Sequence, residues 1–213
     1  MNSSRIIAIT DIHGESGKLN DLIAKLDVKP DDTIVFMGDY IDRGPDSKGV
    51  IDKIISMSDV CNCIYLKGSH EYAYLEARKG DEYYDYLFWT YGGVQTAQSY
   101  GSFENIYKVH GEFLDSLKPY YMTEKYLFIH AGIRPGVPFE VQDEHDFYYI
   151  RQQFINNKHN LPQKIIFGHT EFKEPLVQPD KICIDTGCGK FPDAPLTAIV
   201  LPEEKFVQSY RLS

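Results

Sequence analysis

Apolar residues along the chain follow two kinds of pattern. In the first, apolar side chains recur three or four positions apart, as over residues 19–26 and 50–55, and this spacing predicts amphipathic helices. The same spacing over residues 147–155 predicts a third helix. In the second, short runs rich in β-branched residues predict strands. Eight such runs cover residues 5–10, 33–37, 62–66, 126–129, 164–167, 181–184, 196–201 and 205–210.

The order of these elements indicates the fold class. Strand and helix alternate in the first half of the chain, which favours parallel pairing, whereas the second half is richer in strands. This mixture predicts a layered α/β domain with one or two central sheets. No repeat, low-complexity segment or linker-like stretch marks a boundary, so we expect a single domain over residues 1–213.

The least regular stretch, residues 80–119, is rich in aromatic side chains. Six of the nine residues 83–91 are Tyr, Phe or Trp. One interpretation is a helical, aromatic cap segment over residues 80–118, whose rings pack onto the sheet as a satellite cluster. The other is a wall of the active site that stacks a base or an aromatic side chain. The two interpretations are compatible with each other.

Five of the predicted strands run directly into Asp or His beside a glycine. The carboxyl ends of strands at one edge of a sheet converge, and ligands of open α/β folds bind there. Carboxylate and imidazole donors without paired cysteines suit Mn, Fe or Zn. Two such ions that share a carboxylate can activate water for attack on phosphorus, and a nearby arginine can bind phosphate oxygens. The polar residues at these strand ends include Asp11, His13, Asp39, Asp42, Arg43, Ser69, His70, His130 and His169.

Composition narrows the function classes. The chain of 213 residues carries 22 basic and 31 acidic residues, a net charge of −9, without a basic run. We therefore expect neither a nucleic-acid partner nor a membrane surface. The sequence shows no secretory signal or membrane-spanning stretch, and its four cysteines are too few for a disulfide scaffold, which indicates a reduced, cytoplasmic protein. Because nothing in the pattern requires a partner chain, we expect a monomer.

The sequence around the polar residues resembles the PPP-type, calcineurin-like metallophosphatases, and in particular the bacterial and phage lambda phosphatase-like serine/threonine protein phosphatases. The matching segments read DIHG (11–14), GDYIDRG (38–44), GSHE (68–71), HAG (130–132) and GHT (168–170). The Arg of DRG distinguishes this branch from broader metallophosphoesterases, as does Glu171 in the place of a second His after GHT. The resemblance implies a four-layer αββα sandwich.

The resemblance also implies a role for each matching residue. It implies two divalent metal ions, with Mn²⁺ as the first choice and Fe or Zn as alternatives. His70 would protonate the leaving oxygen, and Asp42 would orient His70. Arg43 and Arg151 would bind phosphate, and hydrolysis would take a single step without a phosphoenzyme intermediate. The implied metal ligands are Asp11 and His13 for the first ion, Asp39 as the bridge, and Ser69, His130 and His169 for the second.

One position departs from the family's pattern. Where the family has Asn in the third motif, this chain has Ser69. A neutral hydroxyl is a shorter and poorer ligand than an amide oxygen, so a water would have to bridge the gap. We expect two metal ions still to bind, with weaker affinity at the second site and slow turnover.

These expectations leave three alternative functions. The first is a metal-dependent phosphatase of phosphomonoesters, chiefly phosphoserine and phosphothreonine in proteins. The second, within the same family, is a hydrolase of dinucleoside tetraphosphates such as diadenosine tetraphosphate, with residues 83–91 stacking an adenine. The third is a non-catalytic module that binds a phosphorylated ligand. Ser69 supports this third alternative, whereas the intact Asp42, His70 and Arg43 argue against it.

Titratable residues outside these segments are interpreted as structural. His110, His145 and His159 are expected on the surface, and the cysteines are expected to act as small buried hydrophobes. Asp185 lies near the site by its position after a strand, but we do not expect it to bind a metal ion.

Overall fold

Two five-stranded sheets form the centre of the structure, a computed structural model that describes residues 5–210. The first sheet contains β1 (Ile6–Ile9), β2 (Thr33–Phe36), β3 (Asn62–Tyr65), β9 (Leu196–Leu201) and β10 (Lys205–Ser209). Its strand order is β10-β9-β1-β2-β3. The neighbours β1, β2 and β3 are parallel, and β9 runs antiparallel to both β1 and β10.

The second sheet repeats this arrangement with a parallel centre and antiparallel edges. It contains β4 (Tyr120–Met122), β5 (Tyr126–Ile129), β6 (Lys164–Phe167), β7 (Leu176–Val177) and β8 (Lys181–Cys183). The strand order is β4-β5-β6-β8-β7, with β5, β6 and β8 parallel. The short edge strands β4 and β7 are absent from the pattern-based prediction, because two or three residues are too few to show an alternation.

Within residues 5–210, eight α-helices pack outside the sheets and connect their strands. They are α1 (Ser16–Leu26), α2 (Ser47–Ser56), α3 (Ser69–Arg78), α4 (Glu82–Thr90), α5 (Gly93–Tyr100), α6 (Phe103–Ser116), α7 (Glu144–Tyr149) and α8 (Gln152–Ile155). The predicted helices over 19–26 and 50–55 correspond to α1 and α2. None of the helices in the described part of the chain is long and apolar enough to cross a membrane.

Alternation along each strand separates three apolar cores. Ile7 and Ile9 of β1 face the helices of the first sheet, whereas Ala8 between them faces the second sheet. In β5, Phe128 likewise packs between the sheets, whereas Leu127 and Ile129 pack against α7 and α8. Because helices cover one face of each sheet and the other two faces meet, the structure has the expected αββα layers.

The predicted third helix over 147–155 is wrong in one respect, because the chain breaks between α7 and α8. Ile150 is extended, with a ψ angle of 142°, and Arg151 has φ and ψ of −130° and −111°. Arg151 therefore lies at a break between two short helices rather than within a helix. The buried Phe147, Phe154 and Ile155 still face the second sheet, which explains the helical spacing of the apolar positions.

Residues 80–119 are largely helical, and their aromatic rings divide into two groups. Phe88 is buried and packs against Tyr74 and Phe103, with ring centroids 5.5 Å and 5.4 Å away. This group packs onto the first sheet, as the first interpretation predicted, but it is continuous with the apolar core of that sheet and is not a satellite cluster. Tyr83 and Tyr91 remain exposed by 62% and 55%, and they face a cleft that is described below.

Two histidines that were expected on the surface are buried. The imidazole of His110 lies 2.7 Å from the hydroxyl of Tyr100 and 3.1 Å from Asp52. The imidazole of His159 lies 3.0 Å from the carbonyl oxygen of Asp180. Each occupies a polar niche that links two segments distant in sequence, which local sequence cannot reveal. His145 is exposed, as predicted.

Candidate metal centre and cleft

The carboxyl ends of strands from both sheets converge on one buried carboxylate, that of Asp39. Asp39 Oδ2 lies 3.7 Å from His13 Nε2 and 3.4 Å from His130 Nε2. His13 Nε2 is also 3.8 Å from Asp11 Oδ1. Around Asp39, donor atoms fall into two groups, each within 4.8 Å of one another: one with His13 and His70, the other with His130 and His169. Asp39 is thus shared by two neighbouring sets of ligands.

The loops that carry these side chains have left-handed backbone at residues other than glycine. The φ angles lie between 49° and 71°. Such angles are uncommon outside glycine, and a bulky residue such as arginine adopts them only where the surrounding structure enforces them. This conformation turns the backbone sharply at the end of each strand, so that the side chains point into the centre. The residues concerned are Asp11, His13, Asp39, Asp42, Arg43 and His169.

Two glycines allow the loops to approach each other at the centre. A Cβ atom on Gly68 would lie 2.2 Å from the backbone nitrogen of Asp39. A Cβ atom on Gly168 would lie 2.2 Å from Oδ2 of Asp11. No side chain fits at either position without displacing a carboxylate that belongs to the site.

Glu71 fixes the loop that carries Asp39. Its buried carboxylate accepts hydrogen bonds from the backbone N–H groups of Asp39 and Gly68 on one oxygen, at 2.8 Å and 3.0 Å. The other oxygen accepts from Tyr40 and Ile41, at 2.8 Å and 3.2 Å. A single side chain at the start of α3 therefore ties the loop after β2 to the loop after β3.

The imidazoles are oriented in the way that metal ligation requires, and burial favours the uncharged form of two of them, His13 and His169. Nδ1 of His13 lies 2.9 Å from the carbonyl oxygen of Ile41, and Nδ1 of His130 lies 2.9 Å from that of Met37. Each Nδ1–H donates to its carbonyl, which points the lone pair of Nε2 into the centre. Burial, together with the charge of Arg43, lowers the pKa of His13 well below its usual value. Burial and His130 do the same to the pKa of His169. Burial also disfavours the charge on His130, but the charge of Asp39 and a hydrogen bond to it outweigh burial and raise the pKa of His130 to about 9.

Two polar atoms of the centre have no hydrogen-bond partner among the described residues. They are Nε2 of His13 and Nε2 of His169, both buried. An unpartnered buried nitrogen is costly unless a ligand satisfies it. Burial opposes the charge on Asp39, but the charges of His130 and His70 outweigh it and hold the pKa of Asp39 well below its usual range. An ionised carboxylate beside the unpartnered Nε2 of His13 fits divalent metal ions, as does the approach of His169 Nδ1 to within 3.3 Å of His130 Nε2.

Beside the metal ligands lies an acid–base pair. His70 Nδ1 and Asp42 Oδ2 are 2.6 Å apart, and the second oxygen of Asp42 accepts a hydrogen bond of 2.6 Å from Thr96 Oγ1. Burial disfavours the charge on His70, but the charge of Asp39 and the hydrogen bond to Asp42 outweigh it and raise the pKa of His70. Nη2 of Arg43 lies 3.3 Å from Nε2 of His70. A proton donor and a cation therefore share the rim of the centre.

Ser69 lies at the position that the sequence assigns to the second metal ion. Its Oγ is 3.2 Å from Asp39 Oδ2 and 3.3 Å from His169 Nδ1. The backbone carbonyl of Ser69 accepts a hydrogen bond of 3.0 Å from the hydroxyl of Tyr149. The hydroxyl of Ser69 is thus directed at the predicted ligands of that ion, and its role as a ligand stays a prediction.

A cleft of about 700 Å³ opens over the centre. Asp42, Ser69, His70 and His169 form part of its floor, while α4 and α7 contribute aromatic rings to its walls. Arginine and lysine side chains stand at the rim, including both predicted phosphate ligands. The aromatic lining residues are Tyr83, Tyr84, Phe88, Tyr91 and Tyr149, and the cationic ones are Arg43, Arg151 and Lys190.

A family profile described as calcineurin-like phosphoesterase matches residues 4–210, nearly the whole chain. The chain belongs to the calcineurin-like phosphoesterase family. Members of this family are hydrolases that depend on two metal ions, in agreement with the two groups of donor atoms around Asp39.

Two curated relatives of the chain are named as bis(5'-nucleosyl)-tetraphosphatases. The chain is 28% identical to the asymmetrical bis(5'-nucleosyl)-tetraphosphatase PrpE of Oceanobacillus iheyensis, over 95% of this chain and 91% of the relative. It is also 28% identical to the protein of the same name from Halalkalibacterium halodurans, over 93% of this chain and 91% of the relative. These relatives support the dinucleotide alternative better than the phosphoprotein substrates expected first.

Solved structures share the fold at lower identity. A putative diadenosine tetraphosphatase superposes with a TM-score of 0.74 and 22% identity, over 100% of this chain and 96% of the other. A protein serine/threonine phosphatase from Saccharomyces cerevisiae superposes with a TM-score of 0.69 and 16% identity, over 99% and 81%. At these identities the likeness concerns the fold of the calcineurin-like phosphoesterase and not the substrate.

The structure adds side chains that the sequence patterns did not assign. Thr96 contacts Asp42 from a helix more than fifty positions away in the chain. Lys190 reaches the cleft from the turn after β8. Glu71 was part of a matching segment but received no role there. Of these three, only Glu71 had a sequence signal, because it stands in the segment GSHE beside His70.

Proposed function

We propose that this protein is a bis(5'-nucleosyl)-tetraphosphatase that cleaves its substrate off centre, into a nucleoside triphosphate and a nucleoside monophosphate. The name shared by its curated relatives supports this activity. Water adds across one P–O–P bond of the tetraphosphate, and the bridging oxygen leaves with a proton. The reaction needs a site for a polyphosphate, a proton donor and a surface for at least one nucleoside.

The aromatic wall beside the metal centre is the observation that carries the proposal. Tyr83 and Tyr91 expose 62% and 55% of their surface at the cleft, although neither ring is needed to complete the apolar core. Flat exposed rings next to phosphate-binding groups suit a nucleobase, because stacking contributes about 1–3 kcal/mol per base. A phosphoserine side chain of a protein has no flat group to place there.

The metal ligands are proposed to hold two divalent ions, with Mn²⁺ as the first choice and Fe or Zn as alternatives. When bound, such ions supply activation of water and neutralisation of phosphate charge. The fit rests on the unpartnered imidazole nitrogens and the ionised Asp39 described above. The proposed ligands are Asp11, His13, Asp39, His130 and His169, with Ser69 beside the second ion.

His70 is proposed as the proton donor to the leaving oxygen. Asp42 fixes the ring through Nδ1, and the charge of Asp39 and the hydrogen bond to Asp42 outweigh burial and raise the pKa of His70, which favours the protonated form that a donor needs. Arg43 and Arg151 are proposed to bind phosphate oxygens from two sides of the cleft. This intact donor and its partner argue against a module that only binds phosphate.

The proposal is tested by comparing two substrates at the same concentration of Mn²⁺. We expect kcat/KM for diadenosine tetraphosphate to exceed that for a phosphoserine peptide by about 10²-fold or more. Tyr83→Ala is expected to lower kcat/KM for the dinucleotide by about tenfold, which corresponds to one lost stacking contact. Tyr86→Ala is the matched control, because Tyr86 is exposed on the same helix but lies outside the cleft. A preference for the phosphopeptide would contradict the proposal.

A further inference from the structure

Two of the cations at the cleft are held by one carboxylate. The Lys190 ammonium forms an ion pair with Oε1 of Glu171, and Nη1 of Arg151 lies 3.7 Å from Oε2 of the same residue. Arg151 Nη1 also donates a hydrogen bond of 2.9 Å to the carbonyl oxygen of His169. The side chains of Lys190 and Arg151 are exposed by 43% and 48%. Both cations are therefore positioned by the protein while remaining accessible to a ligand.

Lys190 stands on a turn that is packed directly against the metal centre. The preceding Gly189 has a φ angle of 73°, and a Cβ atom there would lie 2.5 Å from Cβ of His13. Only glycine lets the turn come so close, so the position of Lys190 is tied to a predicted metal ligand. Burial, and then the positive charges of Arg43 and Arg151, lower the pKa of Lys190, which places the three cations within each other's electrostatic range.

This cation pair comes from other segments of the chain than Arg43 does. Arg43 follows β2 and approaches His70, whereas Arg151 and Lys190 come from the break between α7 and α8 and from the turn after β8. A phosphomonoester places a single phosphate over the metal centre, within reach of Arg43. A tetraphosphate carries three further phosphates, and each needs positive charge in a protein whose net charge is −9.

We propose that Lys190 adds a second phosphate subsite, in which Arg151 is shared with the reacting position, and that this subsite binds the phosphates that do not react and favours polyphosphates over phosphomonoesters. Glu171 is the counter-ion of this subsite and holds both cations until the substrate replaces it. Two cations and one carboxylate leave a net charge of +1 at the subsite. The inference rests on the function proposed above, since a polyphosphate substrate gives the subsite its use.

The subsite is tested with inorganic probes, as inhibitors of p-nitrophenyl phosphate hydrolysis at a fixed concentration of free Mn²⁺. Tripolyphosphate reports on the extended site, and orthophosphate reports on the reacting position. Lys190→Gln is expected to raise the inhibition constant of tripolyphosphate about tenfold, and that of orthophosphate about twofold at most. Lys205→Gln, an exposed change at the edge strand β10, is the matched control and is expected to alter neither constant.

Two results would overturn the subsite. One is an equal rise of both inhibition constants in Lys190→Gln, which would assign Lys190 to the reacting phosphate. The other is no change in either constant. A melting temperature within about 2 °C of the wild type excludes loss of folding as the cause, since Lys190 is a surface side chain.

Glu171→Gln tests the counter-ion, and it is expected to change inhibition by tripolyphosphate in the direction opposite to that of Lys190→Gln. Removing the carboxylate raises the net charge of the subsite from +1 to +2, so tripolyphosphate is expected to inhibit several-fold more strongly. Weaker inhibition in this variant would show that Glu171 does not compete with phosphate, and would overturn its role as a displaceable counter-ion.

These probes keep the subsite distinct from the proposed activity. If tripolyphosphate inhibits selectively through Lys190 but diadenosine tetraphosphate is not cleaved, the subsite stands and the proposed substrate falls. If diadenosine tetraphosphate is cleaved but Lys190→Gln leaves the inhibition constant of tripolyphosphate unchanged, the activity stands and the subsite falls.

Discussion

Thr96, Asp42 and His70 form one chain of hydrogen bonds that ends at the proposed proton donor. Both bonds to the Asp42 carboxylate measure 2.6 Å, and its backbone N–H donates to Thr96 and to Ser47. Both carboxylate oxygens and the backbone N–H of Asp42 are therefore hydrogen-bonded. The His70 ring is fixed through Nδ1, and its Nε2, which lies 3.3 Å from Nη2 of Arg43, is the atom that faces the cleft as a positioned acid requires.

Replacing Asp42 with Asn tests this positioning through the leaving group. We expect kcat to fall about 10²-fold for phenyl phosphate, whose leaving group needs a proton, but less than tenfold for p-nitrophenyl phosphate, whose leaving group is stable as an anion. Asp59→Asn, an exposed change, serves as the control. Equal losses for both esters would show that Asp42 acts on metal binding or folding rather than on proton transfer.

Ser69 gives a second prediction at the residue scale. An Asn side chain supplies an amide oxygen where the serine hydroxyl is a poor ligand, so Ser69→Asn is expected to bind the second Mn²⁺ at least tenfold more tightly. Calorimetric titration of the metal-free protein measures both binding constants. Ser116→Asn, exposed at the end of α6, is the matched control. An unchanged second constant would remove position 69 from the metal site.

Single residues of the centre differ in how far sequence predicts them. Asp39 and His130 follow apolar strands directly, so strand prediction alone places each of them at the carboxyl end of a strand. Thr96 and Lys190 lie in a helix and a turn without a local signal, and only the packing of distant segments brings them to the cleft. Sequence therefore predicts the ligands that strands present better than the groups that support them.

At the scale of elements, Glu71 connects the start of α3 to the loop after β2. Its carboxylate accepts four backbone hydrogen bonds in a fully buried position. These four bonds stabilise the left-handed turn after β2, because they occupy backbone N–H groups that the turn leaves without another partner.

Glu71→Gln is expected to lower the free energy of unfolding by about 2 kcal/mol, because an amide NH₂ would then face backbone N–H donors. For a protein of this size, that corresponds to a melting temperature about 4–8 °C lower. The melt is recorded with a chelator, so that metal binding does not contribute. Glu76→Gln on the same helix, where Glu76 pairs with Lys79 at the surface, is expected to change stability by less than about 1 kcal/mol. Identical melts for the two variants would contradict this account of the loop.

Asp32, in the turn before β2, ties that turn to the start of β1. Its buried carboxylate accepts a hydrogen bond of 2.9 Å from Arg5 Nε and one of 2.8 Å from the N–H of Lys29. Burial opposes ionisation, but the hydrogen bonds from Arg5 and Lys29 outweigh it and lower the pKa of Asp32. An acid with a lowered pKa stabilises the fold above its unfolded value of about 3.9, and this contribution is lost as the pH falls through the folded pKa.

Asp32→Asn is therefore expected to be less stable than the wild type at pH 7, by about 1–3 kcal/mol. The difference between the two proteins shrinks as the pH falls below about 4, where the wild-type carboxylate becomes protonated as well. Urea unfolding at several pH values measures it, with the exposed neighbouring change Asp31→Asn as the control. A difference that stays constant as the pH falls from neutral into the acid range would contradict a lowered pKa for Asp32.

Helices and strands were predictable from the sequence where their apolar residues recur at a regular spacing. The strands at 126–129, 164–167 and 196–201 have the predicted bounds, and α1 and α2 contain the predicted apolar faces. The break at Arg151 was not predictable, because Phe147 and Phe154 keep helical spacing on either side of it. Tertiary packing of two short helices satisfies the same apolar pattern as one long helix.

For the whole molecule, two sheets meet so that the loops of both contribute to one centre. Asp39 follows a strand of the first sheet, whereas His130 and His169 follow strands of the second. Alternation within each strand predicts buried faces, but it does not say which two faces meet. The αββα arrangement was expected from the resemblance of the polar segments, and not from periodicity.

Charge has a different meaning at this scale than at the cleft. The chain carries a net charge of −9, which repels a polyanion. Salt limits this repulsion to a Debye length of about 8 Å at physiological ionic strength. The cations at the cleft, Arg43, Arg151 and Lys190, reverse this locally. Total charge, which is all that composition provides, therefore does not exclude a polyphosphate substrate.

The most direct test of the proposed activity is chromatography of the products that the protein forms from diadenosine tetraphosphate with Mn²⁺. We predict ATP and AMP in equal amounts from the first turnovers, as off-centre hydrolysis requires, and no product when Mn²⁺ is withheld from the metal-free protein. ADP as the sole product would contradict off-centre cleavage. Intact substrate, under conditions in which the same sample hydrolyses a phosphoserine peptide, would contradict the proposed function itself.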